Sequence, residues 1–345
     1  MKLREFRSDT MTRPTEAMRD AMRDAEVGDD VCNEDPTVIR LQELAAEKTG
    51  KEAALFVPSG TFGNQCAIGV HTSPGNEVIL GERSHVVEHE CGALGALWGV
   101  VARTVFPAEF SYLTAREVEQ RLRLSDDLHV PDTGLIVLEN ALSDGTVMPL
   151  EEMARVGELA AAHAIPVHLD GARLFNAALA LGVDASHITQ HVDSVTFCLS
   201  KGLGAPSGSV LCGSEKFIYR ARKMRKMMGG GMRQVGVLAA PGILALTDGV
   251  ERLAEDHANA RLLGSMLGEI SGIVVDQEVQ TNMVFCRVKR EGRSEEGLVS
   301  YLAARGFNNY PPEWWGLRFV LSSEVDEGDV RAFVEATRAY MQGDS

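Results

Sequence analysis

The chain has 345 residues, of which 45% are apolar, and a formal net charge of −15. That length exceeds one compact core of ordinary size, so two domains, or one large domain with a smaller satellite, are expected. The apolar content argues against disorder, and the acidic balance argues against nucleic acid or an anionic membrane as the main partner.

The six cysteines, at positions 32, 66, 91, 198, 212 and 286, form no CxxC and no paired spacing. They read as reduced thiols. The opening MKLREFRSDTMTR lacks the apolar core of a signal peptide, and no apolar run approaches the ~20 residues that span a bilayer. A soluble, cytoplasmic protein is the expectation. One basic stretch, YRARKMRKM with Arg220, Arg222, Lys223, Arg225 and Lys226, reads as a solvated helix face.

In chain order, AALFV (53–57) precedes a Gly-Thr-Phe-Gly turn and a helical pattern, and EVIL (77–80) follows the turn SPGN. LIVL (135–138) leads through a loop to the helix EEMARVGELAAAH, PVHLD (166–170) leads into ARLFNAALA, and SVTFCLS (194–200) leads into Lys201. Strands alternating with helices imply βαβ units and a mostly parallel sheet. After about residue 245 the texture becomes α+β, with a charged helix over 251–270 followed by GIVVD, TNMVFCRV and GLRFVLSS. The expected division is a large domain over 1–248 and a small C-terminal α+β domain over 249–345.

Such sheets bind ligands beyond the carboxyl ends of their strands. Asp170 and Lys201 both stand at such ends, 31 residues apart, which is about one βαβ unit. Lys201 lies between Ser200 and Gly202, small neighbours that leave room against the amine. A desolvated lysine there suits Schiff-base chemistry, although a lysine at a strand end is commonly just solvated. Asp170 reads either as a helix N-cap or as the partner of a pyridine nitrogen, with Arg173 in reach of a phenolic oxygen or, in bidentate fashion, a carboxylate. PSGTFGNQ (58–65) offers backbone N–H groups, a hydroxyl and a helix dipole to a phosphate.

Competing motifs are weaker. GLGAPSG (202–208) lacks the GxGxxG spacing and carries Pro206. HVVEH (85–89) matches H-x-x-E-H, which on a helix would set His85 and His89 one turn apart over a metal. A zinc hydrolase would need a further acidic ligand that no downstream segment advertises.

Together with FRSDTMTRPTEAMRDAM, EVGDDVCNEDPTVIRLQELAA, GERSH and GGGMRQVGVLAAPGI, these segments make the chain resemble the threonine aldolases of the β-eliminating lyase family. The resemblance covers nearly the whole chain. It implies an α/β, fold type I large domain, pyridoxal 5′-phosphate (PLP) as cofactor, and retro-aldol cleavage of an L-β-hydroxy-α-amino acid to glycine and an aldehyde. It also implies an oligomer with shared active sites, usually a dimer of dimers, and no metal.

By the same resemblance, Lys201 is the Schiff-base lysine, and His85 stacks on the ring and takes part in acid/base steps. Asp170 and Arg173 hold the pyridine nitrogen and phenolic oxygen. Gly60 and Thr61 bind phosphate, aided by Arg233 from a second subunit. Ser8, Arg173 and Arg318 grip the substrate carboxylate, and His129 is a second active-site histidine. The segment ENALSDGT (139–146) departs from the Thr-His pair common in relatives, and Asp132 stands where a basic residue is common. These departures keep β-elimination, racemisation and transaldol chemistry as alternatives, beside a binding protein that has lost catalysis.

Overall fold

The computed structural model describes residues 3–124 and 127–343. The extreme ends of the two expected domains, residues 1–2 and 344–345, lie outside the described residues. A seven-stranded sheet runs in the order Ala53–Val57, Ser209–Gly213, Ser194–Cys198, Val167–Asp170, Thr133–Glu139, Glu77–Gly81 and Val101–Val105. All neighbours are parallel except Ser209–Gly213, which is antiparallel to both of its partners. The parallel strands are apolar on both faces because both faces are covered. Ile79, Ile136 and Leu138 enter one core, while Val78, Leu80, Leu135 and Val137 enter another on the opposite face.

A second core gathers Phe6, Leu263, Phe307, Phe319 and Phe333. It lies with an antiparallel sheet ordered Leu317–Val320, Met283–Val288, Ile273–Val275. The chain passes from the first core to the second along one helical run: Gly236–Leu244, the π-type turn Ala245–Gly249, then Val250–Gly268. The expected boundary after residue 248 falls inside this run. The opposite end of the chain also joins the second core, since Arg4–Glu5 pairs in parallel with Phe307–Asn308 and Phe6 accepts a bond from Val320 N–H at 3.0 Å.

The basic helix Glu215–Met227 corrects one expectation. Of its six cations, Lys216, Arg220, Lys223 and Lys226 are exposed and Arg222 is half-buried, but Arg225 is buried. It pairs with Asp30 at 2.8 Å and donates to the Phe56 carbonyl, also at 2.8 Å. All six cysteines are free, and Cys66, Cys198, Cys212 and Cys286 are buried.

Candidate active site

The strand Val167–Asp170 lies between Thr133–Glu139 and Ser194–Cys198, so Glu139, Asp170 and Thr196 stand side by side at the carboxyl edge of the sheet. Asp170 is buried. One of its oxygens accepts from Ala172 N–H at 3.0 Å and the other from Asn64 Nδ2 at 2.7 Å. It is therefore not simply a helix cap: its second oxygen is held by a side chain from another element.

His85 opens the short helix His85–Glu88, and Glu139 accepts its backbone N–H at 3.0 Å. Its Nδ1 meets Glu90 at 3.0 Å. That hydrogen bond, helped by the negative charge of Asp170, raises the His85 pKa although burial opposes it. Glu90, buried, also accepts from Asn64 at 3.0 Å and from Gln65 at 2.7 Å. Glu139 is pushed up to about 7, first by burial and then by the charge of Asp170 beside it.

The HVVEH pair does not form as expected. His85 and His89 have ring centroids 5.5 Å apart, but His85 is turned to Glu90. Among the described residues, the ligand atoms that converge within 4.8 Å belong to His85, Glu90 and Asp170.

Lys201 follows the strand Ser194–Cys198, in the neighbourhood of Asp170 that the spacing predicts. Its carbonyl is pinned by the Thr12 hydroxyl at 2.9 Å, and its positive charge is felt at both Asp9 and His85. The ammonium has no hydrogen-bond or ion-pair partner among the described residues.

Gly60 and Thr61 begin the helix Gly60–His71, whose N-cap is Ser59 and whose first turn contains no acidic side chain. Their N–H groups precede the helical ladder and are aimed outward. Gly60 is required for close approach: a Cβ there would stand 2.9 Å from Cys198 Sγ.

Arg173 departs from expectation. Its Nε and Nη2 are given to Asp9 at 2.8 and 2.7 Å, so this fork is not open for a bidentate grip on substrate. Asp9 is fully buried, and burial is the largest single influence and would raise its pKa, but the Arg173 charge and hydrogen bonds, with the Lys201 charge and Asn282, together hold it at about 2. Arg318 is the complementary case. It is half-buried, near Arg173, and has no carboxylate partner among the described residues; burial first and the Arg173 charge second lower its pKa. Ser8 is buried beside Asp9, its Oγ accepting from Thr10 N–H at 3.2 Å and the Thr10 hydroxyl at 2.9 Å.

A cavity of about 430 Å³ adjoins this cluster and shares Glu139 and Arg318 with it. Its wall includes Leu142 and Ser143 of the ENALSDGT segment, with Phe110 and Trp315. Two expected residues stand apart within one chain. His129 is exposed in a loop, its N–H bonded to Asp127 at 2.9 Å. Arg233 is exposed and paired with Asp29 at 2.6 Å.

Sequence reasoning missed Asp9, Asn64, Glu90 and Glu139. Asn64 lies within the singled-out PSGTFGNQ and Glu90 directly follows HVVEH, but only the fold shows that both converge on Asp170.

A parallel sheet with a buried acid and an unpartnered lysine on adjoining strand ends is the architecture of fold type I PLP enzymes. Comparison with known proteins is specific within that class. The beta-eliminating lyase family model matches residues 5–290. A probable low-specificity L-threonine aldolase of Arabidopsis thaliana is 45% identical over 333 residues, covering 94% of each chain. The low specificity L-threonine aldolase of Escherichia coli is 44% identical over 301 residues, covering 87% of this chain and 89% of that one. The solved Leishmania major threonine aldolase shares the fold with a TM-score of 0.85 at 21% identity, covering 98% of this chain and 99% of the other. The chain belongs to the β-eliminating lyase family.

Proposed function

We infer that this protein is a PLP-dependent carbon–carbon lyase that cleaves L-threonine, L-allo-threonine or a related L-β-hydroxy-α-amino acid to glycine and an aldehyde. One observation supports this beyond family membership: Arg318, a guanidinium without a carboxylate partner among the described residues, lies near Arg173 and Asp9 and lines the cavity together with Glu139, the strand neighbour of Asp170.

The residues present fit PLP. The uncompensated N-terminus at Gly60 and Thr61 suits its phosphate, Asp170 its pyridine nitrogen, Lys201 its aldehyde, and the ring face of His85 its ring. When bound, PLP supplies an electron sink for a bond broken at the substrate α-carbon.

Arg318 takes the substrate carboxylate and so decides which α-carbon bond is presented for cleavage. Ser8 closes the same end, and Arg173, fixed by Asp9, contributes its remaining Nη1 and its charge. His85 gives Nδ1–H to Glu90, which leaves Nε2 to accept the β-hydroxyl proton; the α-carbon then gains a proton to complete glycine. The cavity beside Glu139 and Arg318 receives the β-substituent, so the ENALSDGT wall sets side-chain preference.

The remaining features form part of the same proposal. Arg233 and His129 serve a neighbouring subunit's site in a dimer of dimers, which accounts for their exposure in a single chain. Six free cysteines accord with a cytoplasmic location. The functional division lies near residue 248, with residues 4–6 working with the smaller unit.

The test is incubation of the PLP-loaded protein with L-threonine, L-allo-threonine and a bulkier analogue. Glycine and aldehyde are expected in equal amounts. Ammonia with a keto acid would replace this assignment by β-elimination, and loss of α-hydrogen without aldehyde would replace it by racemisation.

A further inference from the structure

Behind Asp170 runs a line of buried polar groups that the chemistry above does not use. His168 precedes Asp170 by two residues on one strand, so both side chains leave the same face. Ser194 stands opposite His168 on the next strand, and both are wholly buried. His71 Nε2 meets Ser194 Oγ at 2.8 Å, and Ser194 Oγ meets His168 Nδ1 at 2.9 Å. His168 Nε2 meets Asn64 Oδ1 at 3.2 Å. Asn64 Nδ2 then reaches Asp170 at 2.7 Å and Glu90 at 3.0 Å.

Ionised carboxylates only accept, so Asn64 must turn its nitrogen to them and its oxygen to His168. That oxygen requires a proton of His168 on Nε2. With both imidazoles neutral, the remaining protons are fixed: His168 Nδ1 accepts the Ser194 hydroxyl proton, and Ser194 Oγ accepts from His71 Nε2–H.

Their surroundings keep both imidazoles neutral. Burial pushes His71 down to about 4, with Asp193 opposing and Arg220 assisting, while the ring stacks on Phe217 at 4.7 Å. Burial pushes His168 down to about 3, assisted by His71 and opposed by a backbone bond at Ser194.

We propose that Asn64 and His168, backed by Ser194 and His71, are positioning residues that hold Asp170 and Glu90 as a fixed pair of acceptors under the cofactor ring. Without His168 the Asn64 amide loses the donor that orients it. It is then free to rotate and set its oxygen against the two carboxylates. Asp170 loses the bond that aims its free lone pairs, and Glu90, which holds Nδ1 of His85, loosens with it. This proposal rests on the PLP assignment.

The first measurement needs no cofactor. Nitrogen-15 NMR of histidine-labelled apoprotein at neutral pH should show His168 and His71 as neutral Nε2–H tautomers. A charged ring, or His168 protonated on Nδ1, overturns the relay.

The second compares His168→Leu with His168→Gln, whose ε-amide restores a donor toward Asn64. In the loaded enzyme, His168→Leu should move the pH at which the visible cofactor band changes. It should also lower kcat for threonine cleavage by about 10- to 100-fold, the usual cost of removing outer support, with KM little changed. His168→Gln should recover most of both. A His168→Leu enzyme with the wild-type band titration and kcat overturns the proposal; if that variant does not fold, the tautomers and the His168→Gln titration decide it. A wild-type protein that takes up no PLP sinks the cofactor assignment itself, and the relay's role with it. Normal uptake with an unmoved band in His168→Leu sinks the relay alone.

Discussion

The floor of the site and its rim are built on different principles. The floor, comprising Asp170, Asn64, Glu90 and His85, comes from three separate segments, yet each side chain is held by another member of the set. His129 and Arg233, which the proposal places at the rim, are exposed; the His129 N–H bonds to Asp127 and the Arg233 guanidinium to Asp29. One chain completes the floor. The Arg233–Asp29 pair is an exposed one worth little by itself, so on the proposed reading the rim is where a second copy would contribute.

The contrast makes graded predictions. Lys201→Ala removes the group that would bond covalently to the cofactor above the floor and should lower aldehyde release by about 10³-fold or more, with loss of the visible band. Retention of the band would move the cofactor elsewhere. Asp9→Asn leaves the Arg173 charge without its buried partner and should cost about 3 to 5 kcal/mol in urea unfolding. Arg318→Gln, by contrast, removes a guanidinium that no protein group needs. It should spare stability and lower kcat/KM by about 30-fold, the scale of a charged hydrogen bond to substrate.

Acid should reveal the floor before it touches the rim. The folded pKa values of His71 and His168, about 4 and about 3, lie below the ordinary value of about 6.5 for an unfolded histidine. Their contribution to stability is therefore complete above about pH 6.5 and is lost as pH falls toward those folded values. Each should lower apoprotein stability by up to about 1.4 kcal/mol per pH unit in that window, read by urea midpoints. Asp9, held at about 2, adds its loss only below about pH 4, so a single acid transition confined below pH 4 would contradict this order. The smallest effect belongs to the rim: Arg233→Ala should leave urea stability within about 1 kcal/mol of wild type while weakening PLP retention. Unchanged PLP affinity would return Arg233 to a merely solvated role.

Much of this was legible in the sequence because its signals are local. The apolar runs ending in Asp170 and before Lys201 announce parallel strands, and the 31-residue spacing places both ends at one crevice. PSGTFGNQ carries its own N-cap, Ser59, and so announces the helix start. What was not legible depends on convergence. Nothing adjacent to Asp9 indicates that it will occupy the Arg173 fork, because the two are 164 positions apart and meet only when the N-terminal segment folds over the sheet edge. Glu90 stands just outside the HVVEH motif, and only the tertiary position of Asn64 and Gln65 makes it the anchor of His85. Arg225 belongs to a charge run whose helix phase hides one member in five. The domain cut was drawn from texture, while the backbone crosses it as continuous helix.

The pairing of Arg4–Glu5 with Phe307–Asn308 bears on synthesis. The segment that carries Ser8, Asp9 and Thr12 has a strand partner made about 300 residues later. On the ribosome, the central sheet can therefore form long before the segment that clamps Arg173 and Lys201 has anywhere to dock. The segment holding Ser8, Asp9 and Thr12 is therefore among the last to settle, so the nascent protein has a nearly complete scaffold but no finished site until residues 307–308 emerge.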